Sequence, residues 1–257
     1  MSPEQIDELF VQTLTGNYDD ESPWAAVHAL RREGSREVFN RAAEWCNSDN
    51  PFKRARGADV LAQLGRTADQ HRNNFPDESF SIVSTMVRQE KDALPLLAEV
   101  HALGHIGNPS AVPLIIEHGL HSSADVRLAV AQALGHSAND PRAVDALLAL
   151  MRDTDEHVRD WATFSLGVLG DLDTNEIRDA LFQRLADPDT DVVEESLLGL
   201  SKRKDQRALH SLIAELNKPG ISDRVKEAAE LFLGEHEQSA SWSPVDYAAA
   251  LKKHFTL

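Results

Sequence analysis

The chain has 257 residues, 42% of them hydrophobic and 26% charged, enough apolar material for a sizeable core, which excludes a chain that stays unfolded. Acidic side chains outnumber basic ones 42 to 26, for a net charge of −16. That charge argues against nucleic acid or a membrane as partner and for another protein, a basic one.

The first segment, MSPEQIDELFVQTL, predicts an amphipathic cap helix within residues 1–20. Ser2 suits the N-cap, Pro3 the first helical position, and Ile6, Leu9, Phe10 and Thr13 the buried face. It lacks the basic and apolar regions of a secretion leader, and no run approaches the ~18–20 apolar residues that span a bilayer. The lone Cys46 forbids an internal disulfide, so the expected location is cytoplasmic; a cap helix at each end of the array suggests a monomer.

Residues 21–235 carry a repeat. A Leu, usually followed by Gly, closes a short helical pattern at Leu30, Leu64, Leu103, Leu134, Leu166, Leu200 and Leu233, spaced 31 to 39 residues apart. Val126, Val158, Val192 and Val225 stand eight residues before the last four, and Arg127, Arg159 and Lys226 follow three of those valines. Each unit reads as two helices. In the clearest, SSADVRLAVAQALG buries Val126, Val130, Ala133 and Leu134, and PRAVDALLALMRD buries Val144, Leu147, Leu148 and Met151. Pro141 suits the second helix's first turn, and Gly135 is expected to end the first in a left-handed conformation. The longest spacing is explained by a polar loop insertion at 65–79. GEHEQSASWS then joins the array to a C-terminal cap helix at 243–255, with Ser243 as N-cap.

Short Ala/Leu-rich helices without alternating β-branched runs predict an all-α chain. One amphipathic hairpin cannot bury its apolar side alone, but stacked neighbours share a continuous core. The expectation is a single right-handed α-solenoid of about six or seven hairpins over 1–257.

Charge is uneven. Residues 151–200 hold thirteen Asp or Glu against four Arg. Asp153, Asp155, Glu156, Asp187, Asp189, Asp191, Glu194 and Glu195 form a candidate acidic patch that steers a basic partner, although Asp155 and Asp189 also stand where helix caps belong. DPDTD at 187–191 starts like a calcium loop but has Val192 and Leu198 where Gly and Glu are needed. His101, His105, His118, His121 and His136 cluster at spacings that could share helix faces. With no HExxH among them, they read as solvent-exposed loop residues and not metal ligands. No GxSxG, P-loop or GxGxxG motif is present, so no catalytic residue, metal or cofactor is assigned.

The pattern D-x-x-V-R-x-x-A-x-x-A-L-G followed by an apolar helix resembles HEAT repeats in the short form shared with phycobilisome-lyase-like proteins. Residues 122–153 and 154–187 match best, with weaker likeness from about 20 to 235. The resemblance implies a non-catalytic scaffold that binds a protein on the concave face lined by second helices. By phase, that face takes Arg142 and Asp145, then Glu176, Asp179 and Gln183, then Arg207 and His210, with small Ala149 and Ala214 between them. It also implies that Arg127 and Arg159 form a structural ladder between repeats. Small bacterial members of this group are regarded as immunity proteins of toxin loci, so a toxin domain is one implied partner. Phycobilin-lyase or metal-dependent enzyme activity is the alternative. Deoxyhypusine hydroxylase has the same architecture, with His-Glu metal ligands six and five residues before the Leu-Gly. Here those positions hold Leu97/Ala98, Leu128/Ala129, Asp160/Trp161, Glu194/Glu195 and Glu227/Ala228, and the His236-Glu237 dipeptide falls outside the repeat position.

Overall fold

The computed structural model describes residues 1–234 and 241–256; most of the joining segment and His236-Glu237 lie outside them. Among the described residues the regular structure is entirely helical, in two compact units, Met1–Ser137 and Ala138–Leu257.

The first unit contains α1 (Pro3–Gln12), α2 (Glu21–Glu33), α3 (Arg36–Cys46), α4 (Pro51–Ala62), α5 (Pro76–Met86), α6 (Ala93–Ile106), α7 (Ala111–Ile116) and α8 (Ala124–Gly135). The second contains α9 (Pro141–Leu150), α10 (Glu156–Phe164), α11 (Asn175–Arg184), α12 (Thr190–Lys202), α13 (Leu209–Leu216), α14 (Asp223–Leu233) and α15 (Pro244–Phe255). The even-numbered helices from α2 onward are the first helices of the repeats. In the first unit α2, α4, α6 and α8 pack in succession, and in the second α10, α12 and α14 do the same. This is the stacked-hairpin architecture of an α-solenoid.

Local chemistry sets the helix starts. The expected N-caps Ser2 and Ser243 open the two cap helices, and each forms a capping box, Ser2 with Gln5 and Ser243 with Asp246, followed by proline at the first turn. Asp155 and Asp189 cap α10 and α12 by accepting hydrogen bonds from the backbone N–H groups of residues two and three positions on. The recurrent leucines reach the core: Leu30, Leu64, Leu103, Leu134, Leu166 and Leu200 are buried, as are Val126, Val158, Val192 and Val225. At the last repeat Phe232 is the buried residue and Leu233 is only partly covered.

Two local expectations need correction. Gly135 does not end α8 in a left-handed conformation; it is the last helical residue, and His136 caps the helix with ordinary right-handed torsions. Gly104 and Gly167, which follow Leu103 and Leu166, serve close packing. A Cβ on Gly104 would stand 2.8 Å from the Ala133 Cα, and Gly199, which precedes Leu200, packs so closely on Gly167 that its Cβ would stand 2.7 Å from the Gly167 Cα. Gly65 and Gly234, after Leu64 and Leu233, do take positive φ. The insertion is also shorter than 65–79, because Pro76 already begins α5. Its loop folds back onto the helices: Asn73 donates to the Leu61 carbonyl at 2.6 Å and Asn74 to the Gly34 carbonyl at 2.8 Å.

Candidate functional site

On the second helices of the second unit, the predicted phase holds. Leu147, Met151, Ile177, Leu181 and Leu212 are buried, whereas Arg142, Asp145, Ala149, Glu176, Asp179, Gln183, Arg207, His210 and Ala214 are all exposed. The bases on this face are already engaged. Arg142 donates to its neighbour Asp140 at 2.7 Å and 3.0 Å, and that pairing holds the Asp140 carboxyl down at about 2. Arg207 bonds Asp205 and reaches Asp179 at 2.6 Å, with its guanidinium 5.1 Å above the exposed Phe182 ring. Asp145 and Glu176 have no ion-pair partner among the described residues. The face is therefore acidic in effect, with Gln183 and His210 as further polar groups and alanines leaving room for close approach.

The acidic patch does not survive as a single surface. Glu156 and Asp191 are exposed, but Glu194 and Glu195 are buried within α12. Glu194 accepts a hydrogen bond from Ser222 at 2.6 Å, and Glu195 pairs with Arg224 at 2.8 Å. Burial pushes the Glu195 carboxyl up to about 7 and that of nearby Asp160 up to about 6. Asp187 is equally hidden, its side chain 2% accessible and clamped by Arg159 and Arg184. Asp155 and Asp189 are occupied as caps, and partly covered Asp153 accepts from the backbone N–H of Asp155. Glu194, Glu195 and Asp187 cannot steer a partner, because helix packing has taken them out of water.

The arginine ladder has a definite geometry. Arg159 donates to the carbonyls of Asp153 and Thr154, six and five residues earlier, and bidentately to Asp187 of the next repeat at 2.9 Å and 3.0 Å. Arg127 makes the same pair of backbone bonds, to His121 and Ser122. Sequence phase missed a third member. Arg54 bonds the Ser48 and Asp49 carbonyls at the same offsets and reaches Glu90 and Asp92 across the next repeat. It lies ten residues before Leu64 where Arg159 lies seven before Leu166, so only the repeated carbonyl spacing reveals the equivalence. Arg203 was missed too. Buried at 7% exposure, it donates to the carbonyls of Leu166 and Gly167, which the wide turn Ser165–Leu169 after α10 leaves open.

The histidines are not all loop residues. His101 and His105 belong to α6 and are partly buried, and desolvation lowers them to about 4 and about 3. His136, exposed at the end of α8, has its ring 5.1 Å from that of His105, because stacking brings the ends of α6 and α8 together. Among the described residues no three His, Cys, Asp or Glu side chains converge as a metal site.

Beside them lies a second constellation that the sequence reading did not assemble. Asp59 on α4 is 5% exposed, and its carboxylate accepts from the Tyr18 hydroxyl at 2.8 Å and from Arg56 at 3.1 Å. Arg56, 1% exposed, also donates to the Thr13 and Tyr18 carbonyls. Tyr18, Trp24, Arg31, Asp59, His101 and His105 line a cleft of about 280 Å³. A larger cleft of about 560 Å³ runs past Cys46, Arg54, Met86 and Glu90, but Arg54 is fully engaged there.

Fold and geometry together define a helical-hairpin repeat protein with exposed polar ladders on its second helices. The chain belongs to the HEAT-repeat family: a model of HEAT repeats matches residues 86–167. It is similar to protein YibA of Escherichia coli K12, 29% identical over 229 residues, which is 87% of this chain and 79% of YibA. The YibA crystal structure superposes with a TM-score of 0.73 at 25% identity, covering 98% of this chain and 95% of that one. A second relative, the uncharacterized phycocyanin operon protein Z of Pseudanabaena tenuis, is 33% identical over 153 residues, 56% of this chain and 71% of that protein. An archaeal HEAT-like repeat protein from Thermococcus onnurineus shares the fold, with a TM-score of 0.55 at 14% identity. Among the described residues no helix is long and apolar enough to cross a membrane.

Proposed function

We propose that the protein is a non-catalytic binding module that captures a basic protein on the second-helix face of its Ala138–Leu257 unit. The observation that carries this reading is the exposed row Asp145, Glu176, Asp179, Gln183 and His210 on successive second helices, in which two acids lack an internal counter-ion. Unpaired acids beside small side chains accept a cationic surface with little prior disruption. The family likeness supports the finer version, an immunity protein that covers a basic toxin domain, in the cytoplasm and as a monomer.

The test is affinity capture from the native cell, followed by titration of the recovered partner against the Asp145→Lys/Glu176→Gln variant. Both side chains are solvated, so the melting curve should not move. Affinity should fall tenfold or more, and added salt should slow association of the unaltered protein. Equal affinity in the variant would remove this face from the interaction.

A further inference from the structure

The cleft in the Met1–Ser137 unit has features that repeat stacking alone does not require. Arg31 on α2 donates through Nε at 2.9 Å and Nη2 at 2.7 Å to the backbone carbonyl of Asp59. A guanidinium carries five N–H donors, so this side-on contact leaves the Nη1/Nη2 edge unused. That edge is the planar fork that matches a carboxylate. Among the described residues Arg31 has no carboxylate in salt-bridge contact, although the Asp59 charge acts on it from nearby. The nearest buried acid, Asp59, is already taken by Tyr18 and Arg56, and the one other acid lining the cleft, Asp19, is out in solvent.

The remaining walls are chemically consistent. Trp24 stands with its ring 5.6 Å from the Arg31 guanidinium and packs edge-on against Tyr18. Ala62, Leu97, Ala98 and Ala102 supply apolar surface. His101 and His105 line the same cleft and have no hydrogen-bond partner among the described residues, so their ring nitrogens are available. In a chain of net charge −16, a partly buried guanidinium with a free edge, sharing a cleft with an indole and two imidazoles, is a concentrated anion-attracting spot.

We propose that this cleft binds a small carboxylate carried on a flat apolar or aromatic body, with Arg31 gripping the carboxylate and Trp24 and Leu97 flanking the body. Size favours a small ligand, because about 280 Å³ is the space of roughly nine waters at ~30 Å³ each. A single fork favours a carboxylate over a phosphate, which would call for more donors. The site is separate from the second-helix face and does not depend on the protein-binding reading.

Benzoate is the probe, titrated into the full chain by calorimetry and by intrinsic fluorescence, with neutral benzamide as comparator. The expected result is saturable benzoate binding that perturbs tryptophan emission, with benzamide at least tenfold weaker. Arg31→Gln keeps a donor for the Asp59 carbonyl but removes the charge, and should weaken benzoate tenfold or more. Leu97→Phe fills the cleft without touching any polar group and should abolish binding; it decides the matter should Arg31→Gln fail to fold. N-acetylphenylalanine presents the same chemistry on a chain end, and tighter binding than benzoate would support the site while placing the carboxylate on a polypeptide terminus. No saturable binding of either acid, equal affinity for benzamide, or undiminished binding in Leu97→Phe would overturn the proposal.

Discussion

Glu99 sets a cost on this fold that rises with pH. Its side chain is fully buried on α6, and neither carboxylate oxygen receives a hydrogen bond. Its neighbour Glu90 is held ionised by Arg54 and by the backbone N–H groups of Lys91 and Asp92. Desolvation first, and the Glu90 charge second, push Glu99 up to about 9 from an ordinary 4.5. Glu99 is therefore a neutral acid at pH 7, and its proton can be donated towards Glu90. Burial first, and the Glu99 and Asp59 charges after it, push the buried Cys46 thiol up as well.

The sign follows from proton linkage. Between 4.5 and 9 the folded chain holds a proton that the unfolded chain has released, so stability falls as pH rises through that window and levels off beyond it. At about 1.4 kcal/mol per pH unit, the loss is about 3 kcal/mol at pH 7 and about 6 kcal/mol by pH 9. Glu99→Gln removes the ionisation in both states and keeps an N–H donor for Glu90. It should be close to neutral near pH 4 and more stable than the parent by about 3 kcal/mol at pH 7. Urea unfolding followed by circular dichroism across pH 5 to 9 measures this directly. Parallel stability curves for parent and variant would refute the reasoning, because a group that stays ionised in the fold cannot produce a slope confined to this range.

The ladder and the glycine contacts give further expectations. Arg159→Met takes the bidentate partner from the Asp187 carboxylate, whose side chain is 2% accessible, and leaves Arg184 as its one remaining cation. It should cost about 1.5–3 kcal/mol in urea unfolding, with Asp187→Asn in the same chain recovering part of it. Gly199→Val forces a side chain against the Gly167 backbone and should cost about 1–3 kcal/mol, visible as a lower unfolding midpoint, whereas Gly220→Ala, which meets no atom within 4 Å, is limited to the strain of its positive φ.

What could be read in advance divides along a physical line. Apolar periodicity and capping are local, so the repeat, both cap helices, and the Asp155 and Asp189 caps were legible from residue order alone. The exposed faces of α9, α11 and α13 followed because a helix's phase is fixed once its buried side is known. Where a carboxylate ends up is not local. Glu194 and Glu195 look like surface acids in sequence, yet α12 packs between α10 and α14 and leaves no solvated face for them. Glu99 sits in the run PLLAEVHALG at a position that stacking on both sides has closed. The Tyr18–Arg56–Asp59 cluster joins residues some 40 positions apart through one loop, with Asp59 to Tyr18 separated by 41. In a repeat fold the same helix position is therefore apolar in one unit and ionic in the next. The burial that makes the stack stable also converts an acidic composition into a smaller acidic surface than net charge suggests, because Glu194, Glu195 and the Asp187 side chain, three of the thirteen acids between 151 and 200, are out of water.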